Sequence, residues 1–329
     1  MIYDRSAGLS AIMFPVKEMK VFADLGFGQR SAPATAYKAL LNADTGQVVS
    51  IVGSRYQVLH NSEALHLARF ACACAFPGTQ PDEWVPKSIE APLNGGSCAV
   101  DLSHKQLRLD WELAPGIKDL FTPFVRFRNG YNGRTAFSLF FGFERMACSN
   151  GLVHEERIAG IKVSHDTRDI AEEIERRIQK AEFHRVPETI RERLTRLWGH
   201  PVPRQLFSPI VHQVLRIRPP GSKGHRERRP IWAELQSVIE LVTEKYVKEF
   251  GPTAYALMNV ISDLATHLPS HYRFVRHGFV PRSRHSLQVL VALWLRGFSI
   301  RVAETSFSLD EYVKNLSKEL ATPEWRGYG

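Results

Sequence analysis

Cysteine is scarce in this chain: four in 329 residues, at Cys72, Cys74, Cys98 and Cys148, and none falls in a C-x-x-C spacing. The usual zinc and thiol-redox motifs are therefore missing, and the four thiols read as small buried hydrophobes in a reducing compartment. Cys72 and Cys74 would share a face on a strand but not on the helix expected there, so they make a poor metal pair. Long apolar runs are missing too. The longest, "LQVLVALWL" at 287–295, falls well short of the roughly 20 residues that cross a bilayer. The opening "MIYDRSAGLSAIMFPVKEMK" has no basic start, sustained apolar segment and small-residue cleavage site, so no secretory signal is read. The expected location is the cytoplasm, with no membrane partner.

Catalytic signatures are the next absence. "GSKG" at 221–224 lacks the upstream glycine and the following Ser or Thr of a phosphate loop, and there is no G-x-G-x-x-G, H-E-x-x-H or G-x-S-x-G. Asp263, His267 and His271, four apart, would stack on one helical face as metal ligands. Pro269 should end that helix near Leu268 and take His271 off the face, so neither a metal nor a cofactor is expected. Cys148 with His154 or His165 can be drawn as a thiol and base, but a lone cysteine after an aromatic strand is more often a packing residue. A hydrolase using Cys148 is the weakest reading, and an enzyme is not the leading expectation.

Hydrophobic residues make up 44% and charged residues 23%, ordinary globular composition with enough apolar surface for a sizeable core. The net charge is +9. Residues 1–165 carry 17 Lys and Arg against 15 Asp and Glu, and residues 166–329 carry 26 against 19, so the C-terminal half holds the excess. A basic half of this kind points to a polyanionic partner, nucleic acid being the commonest.

The text "AYKALLNADTGQVVSIVGSRYQV" at 36–58 predicts two strands around an Asp-Thr-Gly turn. Asn61 or Ser62 then caps a helix ended by Pro77 and Gly78. "CAVDLSHKQLRLDWEL" at 98–113 alternates with the period of a strand with one buried face. Asn129-Gly130 and Asn132-Gly133 mark a turn between paired strands at 124–128 and 134–146. The longer strand sets Phe137, Leu139, Phe141 and Phe143 on a core face, and Asn150-Gly151 should form the tight turn after it. Beyond residue 164 the apolar spacing changes to about 3.6, beginning with Ile170, Ile174 and Ile178. The fold class is therefore α+β: N-terminal antiparallel β hairpins with a helix, then a helical C-terminal half. Two regions are expected, a β-rich domain over 1–164 and a helical region over 165–329 with a basic Pro/Gly loop at 216–230.

Three cationic features stand out. "RIRPPGSKGHRERRP" carries Arg216, Arg218, Lys223, Arg226, Arg228 and Arg229 against Glu227 alone, and reads as a mobile loop suited to clamping phosphates. A solvated interdomain loop explains it equally well. No acidic residue lies between Asp263 and Glu304, and "HYRFVRHGFVPRSRH" interleaves Tyr272, Phe274 and Phe279 with Arg273, Arg276, Arg282 and Arg284. That is the logic of single-strand binding, in which bases stack on rings while arginines hold phosphates, or else the two phenylalanines are core. Third, Arg126 and Arg128 share one face of a predicted strand with Arg134 across the turn, a platform or a solvated face. Arg145 leaves the aromatic strand beside Glu144, and either pairs with it or points into whatever the sheet binds.

Val52, Gly53 and Tyr56 form a Val-Gly-x-x-Tyr element, followed by a helix start at Asn61, Glu63 and Ala64. Arg145, Cys148, Asn150 and Gly151 form Arg-x-x-Cys-x-Asn-Gly, and Asn259 sits centrally in a later helix, with Ser262 and Asp263 after it in place of the acidic and threonine positions expected there. Over residues 37–268 the chain resembles a family of phage and plasmid-like proteins of unknown function. The resemblance implies a mobile-element setting more than a reaction. Such proteins look similar in outline to single-strand annealing recombinases, which implies a basic groove and a homo-oligomer. The leading expectation is a non-enzymatic nucleic-acid-binding protein of a phage or plasmid, with single-stranded DNA favoured, acting in recombination or replication. The alternative is an interaction protein that blocks a host defence system by binding a host or phage protein.

Overall fold

Alternating apolar residues punctuated by glycine turns fill the first half of the chain, and a 3.6-residue apolar spacing fills the second. In the computed structural model this gives β1 (Tyr3–Asp4), β2 (Val16–Ala23), β3 (Ala32–Asn42), β4 (Val48–Gly53), α1 (Asn61–Ala75), β5 (Trp84–Pro92), β6 (Ser97–His104) and β7 (Leu109–Ala114). Then follow β8 (Ile117–Gly130), β9 (Phe137–Arg145), β10 (Asn150–His154), β11 (Gly160–Val163), α2 (Ile170–Lys180), α3 (Val186–Trp198) and α4 (Phe207–Val214). The last are α5 (His225–Phe250), α6 (Ala254–His267), α7 (Tyr272–Arg276), α8 (Arg284–Arg301) and α9 (Leu309–Glu319). The structure describes residues 3–4, 8–23, 32–92, 95–145, 150–154, 160–220, 225–280, 284–304 and 307–319. The class is α+β, as expected. Among these residues no helix is long and apolar enough to cross a membrane.

The chain divides into two compact units, and not by a single cut near residue 164. The first comprises Met1–Leu107, Pro123–Phe141 and Glu156–Val186, and the second Arg108–Thr122, Gly142–Glu155 and Pro187–Gly329. Strands β2, β3 and β4 form one antiparallel sheet. The larger sheet runs β1-β5-β6-β8-β9-β10, with β7 on β8 and β11 on β9, and β8 and β9 give residues to both units.

In the first unit, Gly46 supplies a left-handed residue (φ +70°) to the β3–β4 turn. Val16, Leu40 and Val52 line one face of the small sheet and pack with Phe14, Tyr56 and Tyr131. α1 begins at Asn61 with His60 as its N-cap, so Asn61 is the first helical residue and not the expected cap. Asn61 turns inward: its side-chain amide donates to the Ile12 carbonyl (2.7 Å) and its Oδ1 accepts from Asn129 Nδ2 (2.8 Å). The Tyr131 hydroxyl accepts from the Asn61 backbone N–H (2.9 Å). Cys72 and Cys98 are buried and Cys74 half-buried, all as free thiols. Burial pushes the Cys98 thiol up to about 12. These three fit the packing role expected of them, while Cys148 lies outside the described residues.

One expectation about β8 fails. The arginine face of β8 was expected to be a platform or solvated, yet Val125, Arg126 and Phe127 are all buried, as are Phe137, Ser138, Leu139, Phe140 and Phe141 of β9. Strict alternation implies one wet face only where nothing covers the second.

The second unit is mainly helical. α6 ends at His267 and a 3-10 turn takes Leu268–Ser270, so Pro269 ends the helix where the sequence indicated. α5 starts at His225, inside the loop expected over 216–230. Proline commonly marks a first helical position, but here Pro230 lies inside the helix, which takes up residues 225–230 of the supposed loop. Asn150 and Gly151 open β10 rather than a turn.

Candidate nucleic-acid interface

The predicted site residues separate into interior and surface groups. In the first unit Arg126 is 2% exposed, and its Nε and Nη2 donate to Asp101 Oδ1 and Oδ2 at 2.5 and 2.7 Å. Strand register explains the pair, since Asp101 of β6 lies directly opposite Arg126 of β8. Asp101 also accepts from Ser88 Oγ (2.7 Å). Burial opposes the charge of Arg126, but Asp101 and Glu90 outweigh it and raise its pKa. Arg126 is therefore an interior ion-pair member, and the expectation of a phosphate contact there is corrected. Arg128, its neighbour on the strand, is half-buried, and Arg134 is exposed in the turn after β8.

Arg145 is corrected likewise. In the second unit its Nε donates to Asp119 Oδ2 and its Nη2 to Glu249 Oε1, both at 2.5 Å. Its guanidinium lies 4.6 Å from the centre of the Phe250 ring. Asp119 also accepts from the Tyr255 hydroxyl at 2.5 Å. Burial works against the charge of Arg145, but the Glu249 and Asp119 bonds raise its pKa. Burial and the adjacent Asp119 push the Tyr255 phenol well up, so it stays protonated and donates. Asn259 joins on the same helix, its amide donating to the Tyr255 carbonyl (2.9 Å). The partners of the arginine were hidden because Asp119 and Glu249 are 26 and 104 residues away in sequence.

The surface group assembles in the second unit. The opening of α5 presents exposed Arg228 and Arg229, and α7, which packs on α5, presents exposed Arg273 and Arg276. Two contacts tie these elements together: Arg273 Nη1 to Glu234 Oε2 at 3.0 Å, and an edge-to-face contact of Trp232 with Phe279 at 5.4 Å. Trp232 also meets the His212 ring at 5.5 Å, which anchors α4 beneath. Two stretches separated by some 40 residues thus bring exposed arginines to one pair of packed helices. The positive end of the α5 dipole lies beside Arg228 and Arg229.

Phe274 and Phe279 are 1% and 2% exposed. They are core, and the expectation that they stack on bases is withdrawn. Arg218 is exposed before α5, and Arg216 is half-buried in a left-handed conformation (φ 52°). Lys223 and Arg282 lie outside the described residues, as do the side chains of Arg226, Tyr272 and Arg284. Among the described residues no carboxylate pairs with Arg228, Arg229 or Arg276. Sequence reasoning overlooked Trp232 and Glu234, which dock α7, and Arg193. Burial above all, with the neighbouring Arg296 and Arg196, lowers the Arg193 pKa to about 10.

Of the thiol–base alternative, Cys148 and the side chain of His154 lie outside the described residues. His165 is buried in the first unit, its ring stacked on Tyr56 at 4.6 Å and its Nδ1 2.9 Å from the Gln57 carbonyl. Burial pushes its pKa down. Asp263, of the supposed metal triad, accepts from the Tyr246 hydroxyl (2.8 Å) and Lys245 (3.3 Å), with His267 Nε2 3.8 Å away.

Across residues 48–287 the chain matches a family model described as a domain of unknown function, DUF932. The chain belongs to the DUF932 family. No curated protein and no solved structure matches it. The DUF932 match takes in both buried arginine networks, Tyr56 and Asn61 of the small-sheet core, and the α5–α7 surface. β2 and β3 precede it.

Proposed function

We propose that this DUF932 protein is a non-enzymatic nucleic-acid-binding protein of a phage or plasmid, acting in the cytoplasm on single-stranded DNA during recombination or replication. One observation carries the reading: exposed Arg228 and Arg229 of α5 and exposed Arg273 and Arg276 of α7 lie on two helices that pack together, and only Arg273 among them has a carboxylate partner among the described residues. Guanidinium groups bind phosphate bidentately and tolerate partial desolvation, so such a surface holds a backbone without reading its sequence. Arg218 lies on the approach to α5, and Arg134 offers a separate exposed cation in the first unit.

The test is a binding titration with single-stranded and duplex DNA at two salt concentrations. Binding should weaken with salt, because each neutralised phosphate releases counterions. The triple variant Arg228→Ala/Arg229→Ala/Arg276→Ala should bind more weakly and with a shallower salt dependence. No binding at low salt by the intact protein would refute the proposal.

A further inference from the structure

The small sheet has a wet apolar face and an open edge. Met19 lies opposite Ala39, and Ala39 opposite Ile51, so the three form one row across β2, β3 and β4. Met19 and Ile51 are 52% and 58% exposed. Tyr37 and Val48, exposed to the same degree, extend this face, which is opposite the one that packs with Phe14, Tyr56 and Tyr131. Among the described residues β2 pairs with β3 alone, so its outer backbone edge is a template for another strand.

The charges on β2 select which strand. Lys20 lies directly opposite Lys38, an unfavourable like-charge pair. Lys38 relieves this by pairing with Glu18 at 2.7 Å. Among the described residues that leaves Lys20 with no carboxylate.

We propose that β2 is an interface with a second copy of this chain, the two strands pairing antiparallel about a two-fold axis at Met19. In that register Lys20 of each copy faces Glu18 of the other, so the unmatched lysine gains a carboxylate. The row Ile51, Ala39, Met19 continues into Met19, Ala39, Ile51 of the second copy, which makes one six-stranded sheet crossed by a continuous apolar row. Because strand side chains repeat every two residues, the neighbouring two-fold registers centre on Glu18 or on Lys20. Each of those sets like charges face to face, so the sequence Lys-Glu-Met-Lys specifies the Met19 register. The interface belongs to the first unit and the α5–α7 surface to the second, and the pairing needs no nucleic acid.

Sedimentation velocity on the nuclease-treated full chain tests it. The intact protein should dimerise with increasing concentration. Lys20→Glu and Glu18→Lys should each weaken self-association at least tenfold, because Lys20→Glu leaves only carboxylates and Glu18→Lys only ammonium groups at the two paired positions. Mixing the two variants should restore a dimer, since each then supplies what the other lacks. Lys20→Glu also removes the clash with Lys38, so its melting temperature should not fall, which separates loss of pairing from loss of fold. A monomer at every concentration, variants that dimerise like the intact chain, or a mixture that stays monomeric would each overturn the proposal.

Discussion

Arg126 and Arg228 are the same side chain put to opposite uses. Arg126 sits mid-strand, 2% exposed, with a carboxylate across the ladder. Arg228 sits near the start of a 26-residue helix, exposed and with no ion pair among the described residues. Arg145 and Arg276 repeat the contrast within the second unit. An arginine held by a buried carboxylate is part of the fold, and its removal leaves an unpaired charge in a low-dielectric interior. An exposed helical arginine with no carboxylate partner adds little to folding and is free to take an anion.

That contrast can be broken in order of expected effect on folding. Arg126→Ala strands Asp101 and should destabilise by about 3–5 kcal/mol in denaturant titrations, and Arg145→Ala, which strands Asp119, should fall in the same range. Asp101→Leu/Arg126→Met removes both charges and should recover most of the loss. Next, Tyr255→Phe deletes one donor to Asp119 and should cost about 1.5–3 kcal/mol, the range for a hydrogen bond to a charged group. A smaller effect is pH dependence. Burial lowers the pKa of His165, and of His212 likewise, so the unfolded chain takes up protons at higher pH than the folded one. Stability should therefore fall as pH drops below the ordinary histidine value of about 6.5, down to the lowered folded values. Chemical denaturation at stepped pH reads this slope, and His165→Phe should flatten it. Smallest of all, Arg228→Ala, Arg229→Ala and Arg276→Ala should each shift stability by no more than about 0.5 kcal/mol.

The contrast also shows how far sequence carries. Helices α1, α2 and α6 were legible because periodicity and punctuation are local: Ile170, Ile174 and Ile178 define a stripe, and Pro269 ends a helix wherever it sits in the fold. The β3–β4 hairpin was legible for the same reason. The destiny of the arginines was not, because it depends on what covers the second face of β8 and β9 and on carboxylates distant in sequence. Asp101 between Val100 and Leu102 looks like the outward residue of an alternating strand until the ladder sets it against Arg126. Conversely, the basic stretch at 216–230 and the acid-free stretch after Asp263 were both visible as charge, yet nothing local says that they meet. Their meeting rests on Trp232 against Phe279 and Glu234 against Arg273, ordinary residues in a sequence scan. Chain division was hidden too, since β8 and β9 each serve two units.

In the proposed function, phosphate contacts belong to the helical arginines and not to the strand arginines. The most direct test is the salt dependence of single-stranded DNA binding for three proteins side by side: the intact chain, the Arg228→Ala/Arg229→Ala/Arg276→Ala variant and the Asp101→Leu/Arg126→Met variant. The helical variant should lose affinity and about 0.7 in salt slope for each contact removed, while the strand variant should bind like the intact chain. Equal binding by the helical variant and the intact chain, or loss of binding in a folded strand variant, would contradict the proposed function.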